Sequence, residues 1–246
     1  MRNIRIIVEY DGTGYFGWQR QGPGFLTVQQ VIEEKISRMT GETVHVHSSG
    51  RTDAGVHALN QVVNFRTGTR IPERNLLLGL NSLLPPDIAV KDLKEVDEEF
   101  HARYSARSKV YLYRIMNCPV RSPVFRNFAW HVREPLDLEA MRDTASLLRG
   151  SHDFSSFCGS DSEYRSFVRT VYRAELEKKE RDFVDFVIEA DGFLKYMVRN
   201  IVGTLYQVGI GKITPEGFLS ILNARNRKLA GPTAPAQGLF LVEVKY

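Results

Sequence analysis

Residues 43–66 read TVHVHSSGRTDAGVHALNQVVNFR, a polar, glycine-containing loop between two partly apolar runs. Apolar and polar residues alternate in both runs, and this period of two predicts the strands Thr43–His47 and Asn60–Arg66. The loop between them is longer than a hairpin requires and holds one carboxylate, Asp53, two residues after Arg51. Such a loop is typical of a functional site, although an Asp in a glycine-rich turn can equally serve to bind its own backbone.

The segments on either side complete the element order β-α-β-β-α-β. Their apolar periodicity and their turn residues predict strand Asn3–Tyr10, helix Thr27–Met39, helix Glu73–Leu83 and strand Ile88–Val96. This order is typical of the ferredoxin-like split βαβ motif. The second half of the chain gives a similar order of elements without similarity in sequence, and its predicted helices include one from Asp137 to Gly150 and one over Phe193–Val208. We therefore predict an α+β fold of two ferredoxin-like halves, residues 1–105 and 106–246, whose antiparallel sheets meet at a cleft.

Positive charge is concentrated in two parts of the chain, although the formal net charge is only +4. From Phe100 to Arg133 there is no Asp or Glu, whereas seven Lys or Arg residues are interleaved with seven aromatic residues. Between Phe193 and Ala230 six cations face a single acid, Glu216. Cations mixed with stacking side chains suit an RNA partner with exposed bases, and a solvated basic face would explain the charge equally well.

The composition excludes several classes of protein. Hydrophobic residues make up 43% and charged residues 25% of the chain, as in globular rather than disordered proteins. No apolar run reaches the ~18–20 residues of a membrane-spanning helix, and the charges at Arg2, Arg5 and Glu9 do not fit a signal peptide. Cys118 and Cys158 belong to no metal or disulfide motif. We therefore expect a cytoplasmic protein with no membrane partner.

Three short motifs resemble cofactor or metal sites but lack the context that such sites require. Residues 12–17, GTGYFG, match GxGxxG, yet no helix begins within these glycines, so we expect a flexible loop that displays residues 18–20. His45 and His47 lie on one face of a predicted strand without a third metal ligand nearby. Residues 209–213, GIGKI, lack both the upstream Gly and the Ser or Thr of a P-loop.

Residues 48–65, SSGRTDAGVHALNQVVNF, closely resemble the catalytic loop of the TruA-type tRNA pseudouridine synthases. Six further matches to this family occur in order along the chain: YDGTGYFGWQRQ (10–21), NSLLPPDIAV (81–90), FHARYSA (100–106), KVYLYRI (109–115), MVRNIVGT (197–204) and APAQGLFL (234–241). The resemblance implies two ferredoxin-like halves around a basic catalytic cleft, a homodimer, no metal and no nucleotide or other cofactor. It also implies isomerisation of uridine to pseudouridine at positions 38, 39 and 40 in the anticodon stem-loop of tRNA.

The reaction of this family breaks the N1–C1′ bond, turns the uracil and joins C5 to C1′, which requires one ionised carboxylate. Asp53 is the only carboxylate in a matching motif. The sequence leaves open whether it attacks C1′, attacks C6 or removes a C2′ proton. Arg199 matches the family's basic partner of this aspartate, and the alternative is a phosphate-binding or surface arginine.

The resemblance assigns two more residues. Tyr111 matches the active-site tyrosine, whose ring can cover a flipped uridine and whose hydroxyl can assist proton transfer, whereas Tyr113 is expected to pack in the core. Arg51 resembles the residue that takes the place of the everted base. Phosphate contacts are expected from Arg20, Arg103, Arg107, Lys109 and Lys195. The alternative function is a non-catalytic RNA-binding protein, which would have no need of the loop that carries Asp53.

Overall fold

The computed structural model describes residues 1–159 and 164–246, and this part of the chain contains ten strands and five α-helices. The predicted α+β class is confirmed. Two compact units are formed: residues 1–107 together with 240–246, called unit 1, and residues 108–239, called unit 2. No helix within the described residues has both the length and the apolar character needed to cross a membrane.

Both units contain strands and helices. Unit 1 begins with β1 (Arg2–Tyr10), α1 (Val28–Thr40), β2 (His47–Ser48), β3 (His57–Thr67), α2 (Glu73–Leu83) and β4 (Ile88–Val96). Unit 2 continues with β5 (Ser108–Asn117), β6 (Trp130–Val132), α3 (Leu138–Ser146), β7 (Gly150–Asp153), β8 (Val168–Lys178), β9 (Phe183–Ala190), α4 (Met197–Gly209) and α5 (Pro215–Ala224). The last strand, β10 (Leu239–Lys245), belongs to unit 1 from Phe240 onward.

In unit 1, β1 lies between β3 and β4 and pairs antiparallel with both. β3 in turn pairs antiparallel with β2 and, at its first two residues, in parallel with β10. Ile4, Ile6 and Val8 of β1 are fully buried, and their spacing reflects the period of two along a strand. Ile32 and Ile36 of α1 are equally inaccessible, so the helix adds its apolar stripe to the buried residues of this unit.

The observed units differ from the predicted halves in the assignment of the last residues of the chain. The first residues of β10 pair with the first residues of β3, and the ring of Phe240 stacks on His57 at 4.7 Å. The Tyr246 hydroxyl donates a hydrogen bond to the carbonyl oxygen of Ala102 at 2.8 Å. These contacts hold the segment in unit 1, whereas the predicted second half, residues 106–246, included it.

The predicted strand Thr43–His47 is wrong except at its last residue, where β2 begins. The N–H of Val46 donates to the buried carboxylate of Glu33 at 3.1 Å, and the N–H of Val44 donates to the hydroxyl of Ser37 at 3.4 Å. Both acceptors belong to α1. Side chains of α1 therefore accept hydrogen bonds from N–H groups that would otherwise donate to the carbonyl oxygens of a neighbouring strand.

In unit 2, β5, β9, β8 and β7 pair antiparallel in that order, and β6 adds a short parallel pairing to β5. The core of this unit is built from the sheet and its helices and includes Tyr113, Ile115, Met141, Phe186, Ile188, Ile201, Leu205 and Phe218. α4 begins at Met197 rather than at the predicted Phe193. The reason is that Tyr196 adopts a left-handed φ of +62°, which separates the helix from the residues before it.

Candidate active site

The loop between β2 and β3, residues 49–56, carries Arg51 and Asp53 and is called the Asp53 loop below. The N–H of Val56 donates to the carbonyl oxygen of Asp53 at 3.2 Å. At the other end, the Gln61 side chain of β3 donates to the carbonyl oxygen of the residue before Arg51 at 2.7 Å. Arg51 is exposed and Asp53 is half-buried, so both side chains extend from a loop whose backbone is tied down on either side of them.

A second loop, residues 11–18, supports the Asp53 loop through close backbone contact. A Cβ atom on Gly12 would lie 2.0 Å from the Val56 carbonyl oxygen. A Cβ atom on Gly17, which has a φ of +83°, would lie 2.6 Å from the Thr52 carbonyl oxygen. Only glycine allows the two backbones to approach this closely, and Gly17 also requires it for its left-handed conformation. Gly12 and Gly17 of the GTGYFG motif therefore allow the close backbone contact that supports the Asp53 loop.

Trp18 lies in the protein interior, and the expectation that the loop displays it is wrong. Its side chain is only 1% exposed, and its ring packs against Tyr10 with centroids 6.1 Å apart. The backbone N–H of Trp18 donates to the Thr52 carbonyl oxygen at 3.0 Å. Because α1 begins only at Val28, the glycines do not open a helix, as a dinucleotide-binding motif would require.

Tyr10 fixes the residue next to Asp53. Its hydroxyl and the Thr52 hydroxyl form a buried hydrogen bond of 2.8 Å. Burial raises the pKa of Tyr10 far above its ordinary value, so the phenol stays protonated at every physiological pH. The Asp53 loop is thus held by a neutral, fully buried contact as well as by the glycine loop.

Tyr111 and Tyr113 lie on β5 of unit 2, two residues apart. Tyr111 is 6% exposed and packs edge-to-face against Phe193 with ring centroids 4.9 Å apart. Tyr113 is inaccessible and donates its hydroxyl hydrogen to the Pro235 carbonyl oxygen at 2.7 Å. Burial raises the pKa of Tyr113, and the positive charge of Arg199 opposes this only in part. The interior position of Tyr113 agrees with its predicted packing role.

Arg199 occupies the first turn of α4, where the structure gives it defined partners. Its Nε donates to the Ala234 carbonyl oxygen at 2.8 Å, and its guanidinium lies 5.3 Å from the ring centroid of Tyr196. In return, the N–H of Ala234 donates to the Arg199 carbonyl oxygen at 3.0 Å. A cation at the start of a helix opposes the helix dipole, and no acid in this turn offsets it. This costly position distinguishes Arg199 from an ordinary surface arginine.

A polar network next to Arg199 was not predicted from the sequence. The Asn200 side-chain oxygen accepts hydrogen bonds from Arg227 at 3.0 Å and from the Thr233 hydroxyl at 2.6 Å. Arg227 also donates to the carbonyl oxygen of Gly231 at 3.0 Å. These bonds attach the segment before Ala234 to α4. The available signal was an Asn within a helix, since Asn is a weak helix former that needs a reason to be there.

The residues predicted to contact phosphate differ in their surroundings. Arg20 forms an ion pair with the buried Glu33 at 3.0 Å. Arg103 and Arg107 are exposed, and the Lys195 ammonium lies 5.2 Å from the ring centroid of Tyr196. Lys109 is half-buried on β5.

Across residues 1–159 and 164–246, no group of three His, Cys, Asp or Glu side chains is arranged to hold a metal ion. His45 is exposed and lies 3.9 Å from Glu33. His47 instead packs against His101 at a tilt of 38°, with ring centroids 4.9 Å apart. The two histidines of the HxH motif therefore take part in different contacts.

The predicted site residues thus fall into two groups, one in each unit. Arg51 and Asp53 share one loop of unit 1, and Tyr111 and Arg199 belong to unit 2. Within unit 2, the aromatic side chains Phe193 and Tyr196 flank these two residues, one beside each.

Comparison with known proteins gives a consistent result over the whole chain. A family model described as tRNA pseudouridine synthase matches residues 6–105 and 144–246. Proteins named tRNA pseudouridine synthase A from Thermoanaerobacter sp. (strain X514), Acetivibrio thermocellus and Geotalea uraniireducens (strain Rf4) are 51%, 49% and 47% identical to the chain. Each alignment spans 246 residues and covers 100% of both sequences. Tyr111 lies outside the two ranges of the family model but within the full-length alignments.

Proposed function

We propose that this chain, which belongs to the tRNA pseudouridine synthase family and isomerises uridine in tRNA, acts on positions 38, 39 and 40 of the anticodon stem-loop. The observation that carries the proposal is the Asp53 loop, whose sequence GRTDAG resembles that of the TruA-type enzymes. Membership of an enzyme family also answers the alternative of a non-catalytic RNA-binding protein, which the charge pattern alone left open.

In this proposal Asp53 supplies the carboxylate. The reaction breaks N1–C1′, forms C5–C1′ and moves one proton from C5 to solvent while N1 gains one. Because the product is an isomer of the substrate, the atoms balance without an oxidant, a reductant or a group donor. Asp53 can act as a nucleophile at C1′ or C6, or as a base at C2′. The rigid support of its loop favours each of these roles, since all depend on a carboxylate at a fixed position.

We assign the other predicted residues to substrate binding. The flat ring of Tyr111, held edge-on to Phe193, suits a wall against which a flipped uracil can stack. The Arg199 guanidinium is anchored through its Nε to Ala234 and provides a positive charge at a fixed position, which suits an anionic group of the substrate. Arg51 is exposed on the Asp53 loop and can occupy the space that an everted base leaves.

Three further features belong to the proposal. Each half of the chain is ferredoxin-like, and in unit 1 the strand order β4-β1-β3-β2 supports this assignment. The enzyme acts as a homodimer. It works without a metal or nucleotide cofactor, in the cytoplasm together with its tRNA substrate.

The experiment that tests the proposal is tritium release from tRNA transcripts labelled at C5 of uracil, since isomerisation must free this hydrogen. Wild-type enzyme should release label from a transcript with uridine at positions 38, 39 and 40. Replacing these three uridines by cytidine should abolish release, whereas the same replacement in the other loops should not. Release that persists after the three replacements would contradict the assigned positions.

Asp53→Asn tests the catalytic assignment in the same assay. The amide keeps the shape of the side chain but cannot act as nucleophile or base, so single-turnover release should fall at least about a thousandfold. Affinity for tRNA should be equal or slightly higher, because a negative charge has left a site for a polyanion. Asp143→Asn, at an exposed position of α3, is the matched control and should behave as wild type. A folded Asp53→Asn variant with about a tenth of the wild-type rate would overturn the assignment.

A further inference from the structure

Three aromatic rings form a contact series on the surface of unit 1, and none of them belongs to the Asp53 loop. His47 of β2 packs against His101 with ring centroids 4.9 Å apart and a tilt of 38°, and His101 packs against Tyr104 with centroids 4.4 Å apart and a tilt of 36°. The guanidinium of Arg103 lies 5.7 Å from the Tyr104 ring centroid. We call these four residues the histidine–tyrosine ladder.

The turn that follows β4 holds the ladder in place. The Nδ1 atom of His101 accepts a hydrogen bond from the N–H of Arg103 at 3.1 Å and lies 3.4 Å from the N–H of Tyr104. An Nδ1 atom that accepts a hydrogen bond carries no proton, so the imidazole is neutral. Partial burial lowers the pKa of His101, and the neighbouring His47 and Arg103 act in the same direction. The central ring of the ladder is therefore fixed and uncharged at neutral pH.

The two ends of the ladder are open to solvent. The side chain of Tyr104 is 78% exposed, and His47 is also exposed. An ordered aromatic ring in water gains little for the stability of the unit, because it buries almost no apolar surface. A preorganised exposed ring does, however, offer a stacking surface to a ligand at low entropic cost.

The charge around the ladder indicates the kind of ligand. Arg103 and Arg107 are exposed, and the chain has no acidic residue from Phe100 to Arg133. The Arg103 guanidinium lies against the Tyr104 ring, and Arg107 follows Arg103 by four positions in the chain. Aromatic rings flanked by cations are the combination that binds unpaired nucleotides, by stacking on the bases and by attraction to the phosphates.

We propose that the histidine–tyrosine ladder binds an unpaired nucleobase of the tRNA substrate, which stacks on Tyr104 while Arg103 and Arg107 contact the adjacent phosphates. The inference rests on the proposed function only in taking tRNA as the ligand, and it does not depend on which uridines are modified. Stacking makes no use of the hydrogen-bonding edge of a base. The site therefore contributes affinity without selecting a base sequence.

The test compares the affinity of three full-length variants for one unmodified tRNA transcript. Tyr104→Ala removes the ring and should weaken binding about tenfold, which is the effect of losing one stacked base. Tyr104→Phe keeps the ring and should bind within about twofold of wild type. Tyr172→Ala, at a similarly exposed tyrosine of β8, is the matched control and should leave affinity unchanged. The single-turnover rate of Tyr104→Ala at saturating tRNA should stay at the wild-type value, because the ladder acts in binding.

Two results would overturn the inference. One is an unchanged affinity of Tyr104→Ala. The other is a lower assembly mass of this variant in sedimentation, since the ladder would then be a contact between protein chains. If thermal melting shows that Tyr104→Ala is unfolded, Arg103→Gln takes its place, because it removes a proposed phosphate contact of the same site and should weaken binding severalfold. Failure of the proposed function is a separate outcome, because it concerns label release by the wild-type enzyme and leaves these affinities as they are.

Discussion

At the scale of single residues, the placement of Asp53 depends on backbone contacts more than on long side chains. Gly17 lies against the carbonyl group of Thr52 and the backbone of Asp53, and Tyr10 binds the Thr52 hydroxyl. Such contacts have little freedom to adjust, because a backbone cannot change rotamer as a side chain can. A small change at Gly17 should therefore reach the carboxylate.

Gly17→Ala is expected to lower both stability and turnover. The methyl group would lie 2.6 Å from the Thr52 carbonyl oxygen, and the left-handed φ of +83° adds strain. Together these effects should destabilise the protein by about 2–4 kcal/mol, which corresponds to a fall in melting temperature of roughly 5–15 °C. The single-turnover rate at saturating tRNA should fall at least about tenfold, as displaced catalytic groups typically do.

Gly24→Ala separates the collision from the strain. Gly24 has a similar φ of +92°, but nothing lies within 4 Å of the position that its Cβ would take. This variant should therefore lose only about 1–2 kcal/mol and keep its turnover rate. Equal turnover rates for the two alanine variants would show that the contact with the Asp53 loop has no effect on the reaction.

At the scale of elements, α4 and the segment before β10 form one structural assembly in unit 2. A Cβ atom on Gly203 of α4 would lie only 1.7 Å from the Pro232 carbonyl oxygen. The N–H of Gly231 donates to the Thr204 hydroxyl at 2.9 Å. Arg227 holds the same segment from its other side, and burial lowers the pKa of its guanidinium. Because Arg199 binds Ala234 within this assembly, its position depends on all these contacts.

Arg227→Met is expected to loosen the assembly. Hydrogen bonds from a charged donor contribute more than neutral ones, and their loss here should cost about 2–3 kcal/mol, or roughly 4–12 °C in melting temperature. Turnover should fall because Arg199 loses its fixed position. Lys228→Met, at the exposed neighbouring position, is the control and should melt within about a degree of wild type. If both methionine variants melt and react alike, Arg227 does not organise this part of unit 2.

Local sequence signals were sufficient for the long regular elements. α2 and β4 have the predicted bounds, because their apolar periods extend over nine or more residues. The ends of α1 are also marked locally: the Thr27 side chain accepts from the N–H of Gln30, and Gly41 adopts a left-handed φ of +75°. These signals involve residues within a few positions of each other.

Elements that depend on distant contacts were not predictable in the same way. β2 is short because Glu33, thirteen residues earlier, binds the N–H of Val46. The helix predicted from Asp137 to Gly150 ends at Ser146, and β7 begins at Gly150. The same limit applies to the site. A motif identified Asp53, but its support by Gly17 is a contact across 36 positions that no local pattern encodes.

At the scale of the whole molecule, the distribution of charge matters more than its sum. The chain has 33 Lys and Arg against 29 Asp and Glu. In the acid-free stretch from Phe100 to Arg133, the exposed cations are Arg103, Arg107, Arg121, Arg126 and Arg133. Arg114 differs from them, because it forms an ion pair of 2.7 Å with the buried Asp185. Exposed cations from a stretch of sequence without acidic residues are suited to contact phosphate groups.

The affinity for tRNA should therefore fall steeply with salt. If about five phosphates are neutralised, each doubling of the salt concentration should weaken binding by about tenfold, as measured by equilibrium titration from low to moderate salt. Arg107→Gln should reduce the slope of log Kd against log salt by about one charge, whereas Arg149→Gln, whose partner is Glu175, should leave it unchanged. A Kd that stays nearly constant over this range would contradict an electrostatic mode of binding.

During synthesis β3 leaves the ribosome well before β10, because β10 follows only after the whole of unit 2. Until β10 emerges, the first residues of β3, His57 and Ala58, lack the parallel partner that completes unit 1. Unit 2 is one continuous segment, residues 108–239. Unit 1, which holds Asp53, can therefore be completed only after all of unit 2 has been synthesised.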